Sequence, residues 1–324
     1  MLKVIELFSG IGAQTQALTN AEIEHEVVAI CEIDKYAIQS YTLLHGKKYN
    51  LGDISQVDVK DVPDCDLLTY SSPCQDFSVA GAQEGGEEGS GTRSSLLWEC
   101  RRIIEAKRPK YLLMENVKNL IGKKHMPVFQ KWLDTLSSLG YKNYWKILNA
   151  RDYGCAQNRE RLFCVSILGD EPFIFPSPIP LTVTLRNYLE PETEALQPFY
   201  MNDKPFIPCA PTQGTSGLIQ VGNLDMKANE AIKRVYDPDG ICPTLTTMTG
   251  GHRQPKIYIA GKGVRKLTPK ECWKLMGFSD EQFEKVAGKL SNAQLYKQAG
   301  NSICVPCLKA IFSALLKGNK NENN

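Results

Sequence analysis

The chain has no apolar run approaching the ~20 residues that a bilayer span requires, so no membrane association is expected. Residues 1–9 are apolar but short, carry Lys3 and Glu6, and read as a strand rather than a secretory signal. A charge excess is also missing. Lys and Arg total 38 against 36 Asp and Glu, a net charge of +2, so global charge does not announce a nucleic-acid binder. Cys304-x-x-Cys307 has no second Cys pair and no nearby histidine, which favours a helix core face over zinc; no metal is expected. Most of the 11 cysteines sit in apolar strand or helix patterns. Reduced thiols and a cytoplasmic location are therefore expected. No internal repeat is visible.

What is present is an alternation of short apolar strands and helical patterns through the first half. Strands are expected at 2–8, 27–31, 65–70, 111–115, 144–149 and 162–167, with helices at 13–20, 34–45, 94–106 and 126–139. This pattern predicts an α/β doubly wound sheet with ligands at the carboxyl ends of its strands. From about 171 to 258 prolines, then glycines and threonines, crowd the chain and helical periodicity fades, so an irregular second domain is expected there. Thr268-Pro269-Lys270-Glu271 is a capping box that restarts helix, and 303–316 is an apolar helix. The expected division is 1–177 with 259–317 as one domain, 178–258 as a second, and 318–324 as a disordered tail.

Several positions carry chemistry. Cys74 follows a proline at the end of a strand and precedes a glycine-rich segment, 81–91, an arrangement that suits a nucleophile beside a closing loop. Phe8-Ser-Gly-Ile-Gly12 joins the first strand to the first helix, where glycines admit a ligand close to the backbone. That turn alone suits a dinucleotide equally well. Glu32 ends the second strand, and Asp53 is expected to end a further one; such acids can bind ribose hydroxyls and an adenine amine. Basic clusters at 101–131 and 253–274 are compatible with a phosphate-lined groove.

The motifs Phe8-Ser-Gly-Ile-Gly12, Pro73-Cys74-Gln75, Glu115-Asn116-Val117, Gln157-x-Arg159-x-Arg161, Arg265 to Cys272 and Gly300-Asn301-Ser302 occur in this order. Together they resemble the DNA cytosine-5 methyltransferases of compact bacterial or phage type, over roughly residues 2–175 and 240–315. The resemblance implies a Rossmann-like, S-adenosylmethionine-dependent methyltransferase sheet with a smaller, irregular target-recognition domain. It makes Phe8, Gly10, Gly12, Glu32, Ile33, Asp53, Ile54, Pro73, Asn301 and Ser302 candidates for the cofactor. The family often places tryptophan at the position of Ile33, so adenine stacking becomes an aliphatic contact here.

For chemistry, the resemblance implies that Cys74 attacks carbon 6 of a flipped cytosine, with Glu115 at N3 and the amine and Arg161 at O2. Arg159 would orient these groups, and Asn116 would shape the turn that presents Glu115. Ser78, Arg93, Thr244, Leu245 and Arg253 are the expected DNA contacts, with Thr244-Leu245 forming the recognition signature and Arg253 a candidate base reader. Double-stranded DNA is the expected partner, and a monomer is expected. A cognate restriction endonuclease acting separately, or a solitary role, both remain open. The tRNA-methylating branch typically carries Cys-Phe-Thr, which is absent.

Overall fold

The computed structural model describes residues 1–72, 96–214 and 216–318, and these divide into two compact units. The first comprises residues 1–148, 160–177 and 307 onward; the second comprises 149–159 and 178–306.

The first unit opens with β1 (Leu2–Leu7), α1 (Ala13–Asn20), β2 (His25–Cys31) and α2 (Lys35–His45). Then come β3 (Leu67–Tyr70), α3 (Leu96–Lys107), β4 (Tyr111–Val117), α4 (Met126–Ser138), β5 (Tyr141–Asn149) and β6 (Glu160–Leu168). The strands form one six-stranded sheet in the order β2-β1-β3-β4-β6-β5. Pairing is parallel from β2 to β4, while β6 runs antiparallel to β4. Strands β1 and β3 are buried along consecutive residues rather than alternately, as parallel strands covered on both faces must be.

On one face, Ile103, Ile104, Phe129, Trp132 and Leu136 from α3 and α4 pack with Leu68, Tyr70, Leu112 and Met114 in one continuous core. The Trp132 indole N–H donates to the Tyr70 hydroxyl at 3.1 Å, so the largest core side chain is also satisfied. Each such aromatic or aliphatic side chain contributes about 1.5–3 kcal/mol by leaving water. Helix α2 starts at Asp34, whose carboxylate accepts from the backbone N–H of Tyr36 and Ala37.

The second unit holds a five-stranded sheet that the proline-rich sequence concealed. Its strands are β7 (Phe206–Gln213), β8 (Ile219–Leu224), β9 (Arg234–Tyr236), β10 (Lys256–Ile259) and β11 (Gly263–Lys266), in the order β11-β10-β9-β8-β7. Pro208 and Pro211 lie in β7, an edge strand whose register shifts between Pro208 and Thr212, and this is where a sheet tolerates proline. Met201, Leu224, Val235 and Val264 form its small core. A short helix α5 (Glu230–Lys233) precedes β9, and α6 (Pro269–Lys274), α7 (Asp280–Val286) and α8 (Asn292–Asn301) follow β11. The expected capping box is complete: Thr268 accepts from the Glu271 N–H, and the Glu271 side chain accepts from the Thr268 N–H. Helix α9 (Val305–Leu316) then leads into the last segment of the first unit.

Among the described residues, the run Asn292–Leu316 is long and apolar enough to cross a membrane by length and composition. It is broken at 302–304 into α8 and α9, and more than half of its most apolar stretch is buried in the protein, as core helices are.

Candidate active site

In the first unit, the turn after β1 is held in an unusual backbone conformation. Phe8, Gly10 and Gly12 all have left-handed φ, at 57°, 56° and 81°. The Phe8 N–H donates to the Cys31 carbonyl at 2.8 Å, tying the turn to the end of β2. Glycine is required at position 12 for space as well, since a Cβ there would fall 2.5 Å from the His45 ring and 2.9 Å from the Tyr41 ring. Glu32 closes the arrangement. One carboxylate oxygen accepts from the Gly10 N–H at 2.9 Å, and the other from the N–H groups of Ile33 and Asp34, both at 2.9 Å. Ile33 stands beside it with 71% of its surface exposed, an apolar surface open to solvent at a strand end.

Asp53 is not at a strand end. The chain makes a single parallel bridge, Ile30 with Asn50, and Asp53 then caps a short 3-10 turn by accepting from the Ser55 N–H at 3.0 Å. Ile54 is buried in the core, and its carbonyl accepts from the Arg102 guanidinium. Asn50 is a residue that sequence reasoning missed. Its side-chain oxygen accepts from the N–H of Glu32 and Gly52, and its amide donates to the Glu32 carbonyl, so it couples both acid-bearing segments. An Asn next to an apolar segment, two residues before a glycine, was the available signal.

At the ends of β4 and β6, the Arg161 Nε lies 3.2 Å from a Glu115 carboxylate oxygen, with side chains 17% and 11% exposed. The register explains the meeting, because Glu115 pairs with Phe163 and Val117 with Arg161 across the antiparallel ladder. Asn116 is buried between them in sequence. Its amide donates to the Ser72 carbonyl and hydroxyl, both at 3.3 Å, and its oxygen accepts from the Val117 N–H. Ser72 is the residue that leads into Pro73 and Cys74. Pro73, Cys74, Ser78, Arg93 and the 81–91 segment lie outside the described residues.

In the second unit, the Arg159 guanidinium is buried and donates to three carbonyls, those of Leu245 (2.7 Å), Gly300 (3.0 Å) and Ser302 (2.8 Å). Gln157 accepts from the Leu245 N–H, and the Thr244 hydroxyl donates to the Asn158 carbonyl. Leu245, expected at the DNA, is therefore fully buried with its backbone N–H and carbonyl both engaged inside the protein. Thr244 is exposed, as are Arg253 and Asn301, whereas Ser302 is buried and its hydroxyl donates to the Ile303 carbonyl.

Several cations of the two basic clusters have partners within the protein. Arg101, Arg102, Lys107, Lys110 and Lys118 each pair with an acid, and the pairs with both partners at the surface contribute only about 0–1 kcal/mol. Arg265 is fully buried and donates to both Glu271 and Glu192. Burial opposes its charge, but the two carboxylates outweigh burial and raise its pKa.

The family model for C-5 cytosine-specific DNA methylases matches residues 2–317. The chain belongs to that family. This methylase is 40% identical to the type II methyltransferase M2.ScrFI of Lactococcus lactis subsp. cremoris, covering 98% of this chain and 99% of that one. The orphan methyltransferase M.SPBetaI of Bacillus phage SPbeta is 33% identical, covering 97% of both chains. Among solved structures, the Dnmt2 methyltransferase of S. pombe superposes with a TM-score of 0.75 at 22% identity, over 98% of this chain and 99% of that one, a likeness of fold. The methylase is thus a DNA (cytosine-5-)-methyltransferase that acts on DNA, and its family implies S-adenosylmethionine as the methyl donor.

Proposed function

We propose that this methylase modifies cytosine at a specific DNA sequence by flipping the base out and adding the Cys74 thiolate to carbon 6 of the ring. Carbon 5 is a poor nucleophile until that addition converts the ring to an enamine. The observation that carries the proposal is the nearly buried Glu115–Arg161 pair at neighbouring strand ends. A carboxyl beside a guanidinium suits an edge of cytosine, with Glu115 at N3 and the exocyclic amine and Arg161 at O2. Asn116, by fixing Ser72, would orient the segment entering Pro73-Cys74. A base within a duplex cannot reach such a pair, so flipping is required. Arg159 acts as a positioning residue, because its guanidinium is committed to backbone carbonyls.

The first unit's donors and acceptors fit the cofactor. A left-handed glycine turn at a helix N-terminus, the Glu32 carboxylate, the exposed Ile33 and the exposed Asp53 match what a nucleoside with a charged tail needs. S-adenosylmethionine, when bound, supplies the methyl group. Phe8, Gly10, Gly12, Glu32, Ile33 and Asp53 would hold it, with Pro73, Asn301 and Ser302 as further candidates from the family motifs. Ile54 would serve through its place in the core beneath Asp53. Thr244 and Arg253 are the exposed candidates for DNA, with Ser78 and Arg93 added by the resemblance. A guanidinium matches guanine's two major-groove acceptors.

Two settings fit, a modification enzyme paired with a separate endonuclease and a solitary one; type II and orphan relatives both match. Bisulfite sequencing of a plasmid from cells expressing the wild type and Cys74→Ser tests the proposal. Protected cytosines should appear in one sequence context with the wild type and vanish with the variant. Protection that persists in Cys74→Ser would remove the thiol from the chemistry.

A further inference from the structure

In the second unit, the turn between residues 246 and 255 holds two residues other than glycine in left-handed backbone. Met248 and His252 sit at φ 52° and 56°, and Gly250 and Gly251 at 69° and 61°, so four residues in five are left-handed. For Met248 and His252, which carry a Cβ, this conformation is costly and persists only where the surroundings impose it.

The imposing group is Lys256. Its side chain is 1% exposed, and its ammonium donates to the carbonyls of Ile232 (2.7 Å), His252 (2.6 Å) and Gln254 (3.0 Å). All three ammonium protons are therefore placed, two of them on the turn and one on α5 just before β9. The Gln254 amide adds a bond to the Met248 carbonyl at 3.3 Å. Burial, with the charge of Lys266 adding to it, draws the Lys256 pKa down to about 8, so the group is still an ammonium at neutral pH. Buried charge of this kind is costly unless fully hydrogen-bonded, and here it is. Arg253, between two residues whose carbonyls Lys256 holds, is exposed.

We propose that Lys256 is a positioning residue for target recognition, anchoring the 248–254 turn so that Arg253 is presented to DNA in one orientation. This rests on the assignment of that turn to DNA recognition made above.

The test compares the full-length wild type with Lys256→Met, which keeps the apolar stem and removes the ammonium. Hydrogen exchange of the 248–254 amides should become about tenfold faster, while β8 and the first unit keep their protection. Across a randomised duplex library, discrimination among target sequences should fall by about tenfold, with the KM for DNA raised. Affinity for S-adenosylmethionine and kcat at saturating DNA should stay as they were. Lys256→Gln keeps two N–H donors without charge; it guards against a variant that fails to fold and should show the same changes at smaller size. Unchanged exchange in the turn overturns the anchoring role outright. Faster exchange with discrimination intact overturns the proposal by a different route, since it would show that the turn does not read DNA.

Discussion

Arg159 Nη2 donates to the Gly300 carbonyl at 3.0 Å, and the same guanidinium holds Leu245 and Ser302. A charged donor shared among three buried carbonyls draws the Thr244-Leu245 and Gly300-Asn-Ser302 segments together within the second unit. Each bond to such a group contributes about 1.5–3 kcal/mol, so this residue fixes local geometry at least as strongly as any core contact.

The closeness has a steric counterpart. A Cβ added to Gly300 would lie 1.9 Å from the Thr246 carbonyl oxygen and 2.3 Å from its carbon. Backbone cannot yield as a flexible side chain does. Gly300→Ala should therefore destabilise the protein by about 3 kcal/mol, the upper range for overpacking. Denaturant unfolding checks this, and a loss below about 1 kcal/mol would mean that the two segments separate easily.

The two carboxylates at strand ends should give opposite phenotypes. Glu115→Gln should lower kcat by ~10²–10⁴-fold, as loss of one positioned acid does, with S-adenosylmethionine affinity nearly unchanged. Glu32→Gln replaces an acceptor oxygen with an N–H₂ facing backbone N–H donors. It should weaken the cofactor about tenfold, equivalent to one such bond lost, and leave the rate at saturation intact. Calorimetry and steady-state kinetics separate the two, and exchanged phenotypes would reverse the roles given to them.

Much of this was legible in the sequence, and the exceptions have physical causes. Strands β1 to β4 announce themselves because burial of neighbouring residues leaves each a short apolar run, such as Val4-Ile5, Val27 to Ile30, Leu67-Leu68 and Leu112 to Met114, and Asp34 and Thr268 mark helix starts by cap chemistry. Strands β7 to β11 stay hidden because their prolines sit on an edge and their core is small. Charge counts misled as well. Lys256 and Arg265 look like surface cations but are buried in hydrogen-bond cages, and Leu245 is locked from both sides by Gln157 and Arg159. Long-range pairings of that kind leave no local pattern.

Glu6, next to the last residue of β1, is a further case. It is fully buried; Thr15 donates to one of its oxygens at 2.7 Å, while the other has no protein partner. Burial raises its pKa to about 7 from 4.5, with bonds from Thr15 and Tyr41 only partly offsetting it. A carboxyl raised in the folded state contributes stability fully present below pH 4.5 and lost as pH rises through about 7. Stability should thus decline between these values, by up to about 3 kcal/mol for this group. Glu6→Gln, which cannot ionise, should abolish that part of the decline. Melting curves at pH 5 and pH 8 read the difference, and an identical pH dependence in the variant would mean that Glu6 stays ionised.

The most direct test of the covalent chemistry is to trap it. A duplex carrying 5-fluorocytosine at the target position is incubated with S-adenosylmethionine and the protein, because fluorine cannot leave carbon 5 as a proton does. A denaturing gel should show a shifted protein–DNA species with the wild type and none with Cys74→Ser. An enzyme that methylates the ordinary duplex yet gives no shifted species with the fluorinated one would contradict attack by Cys74.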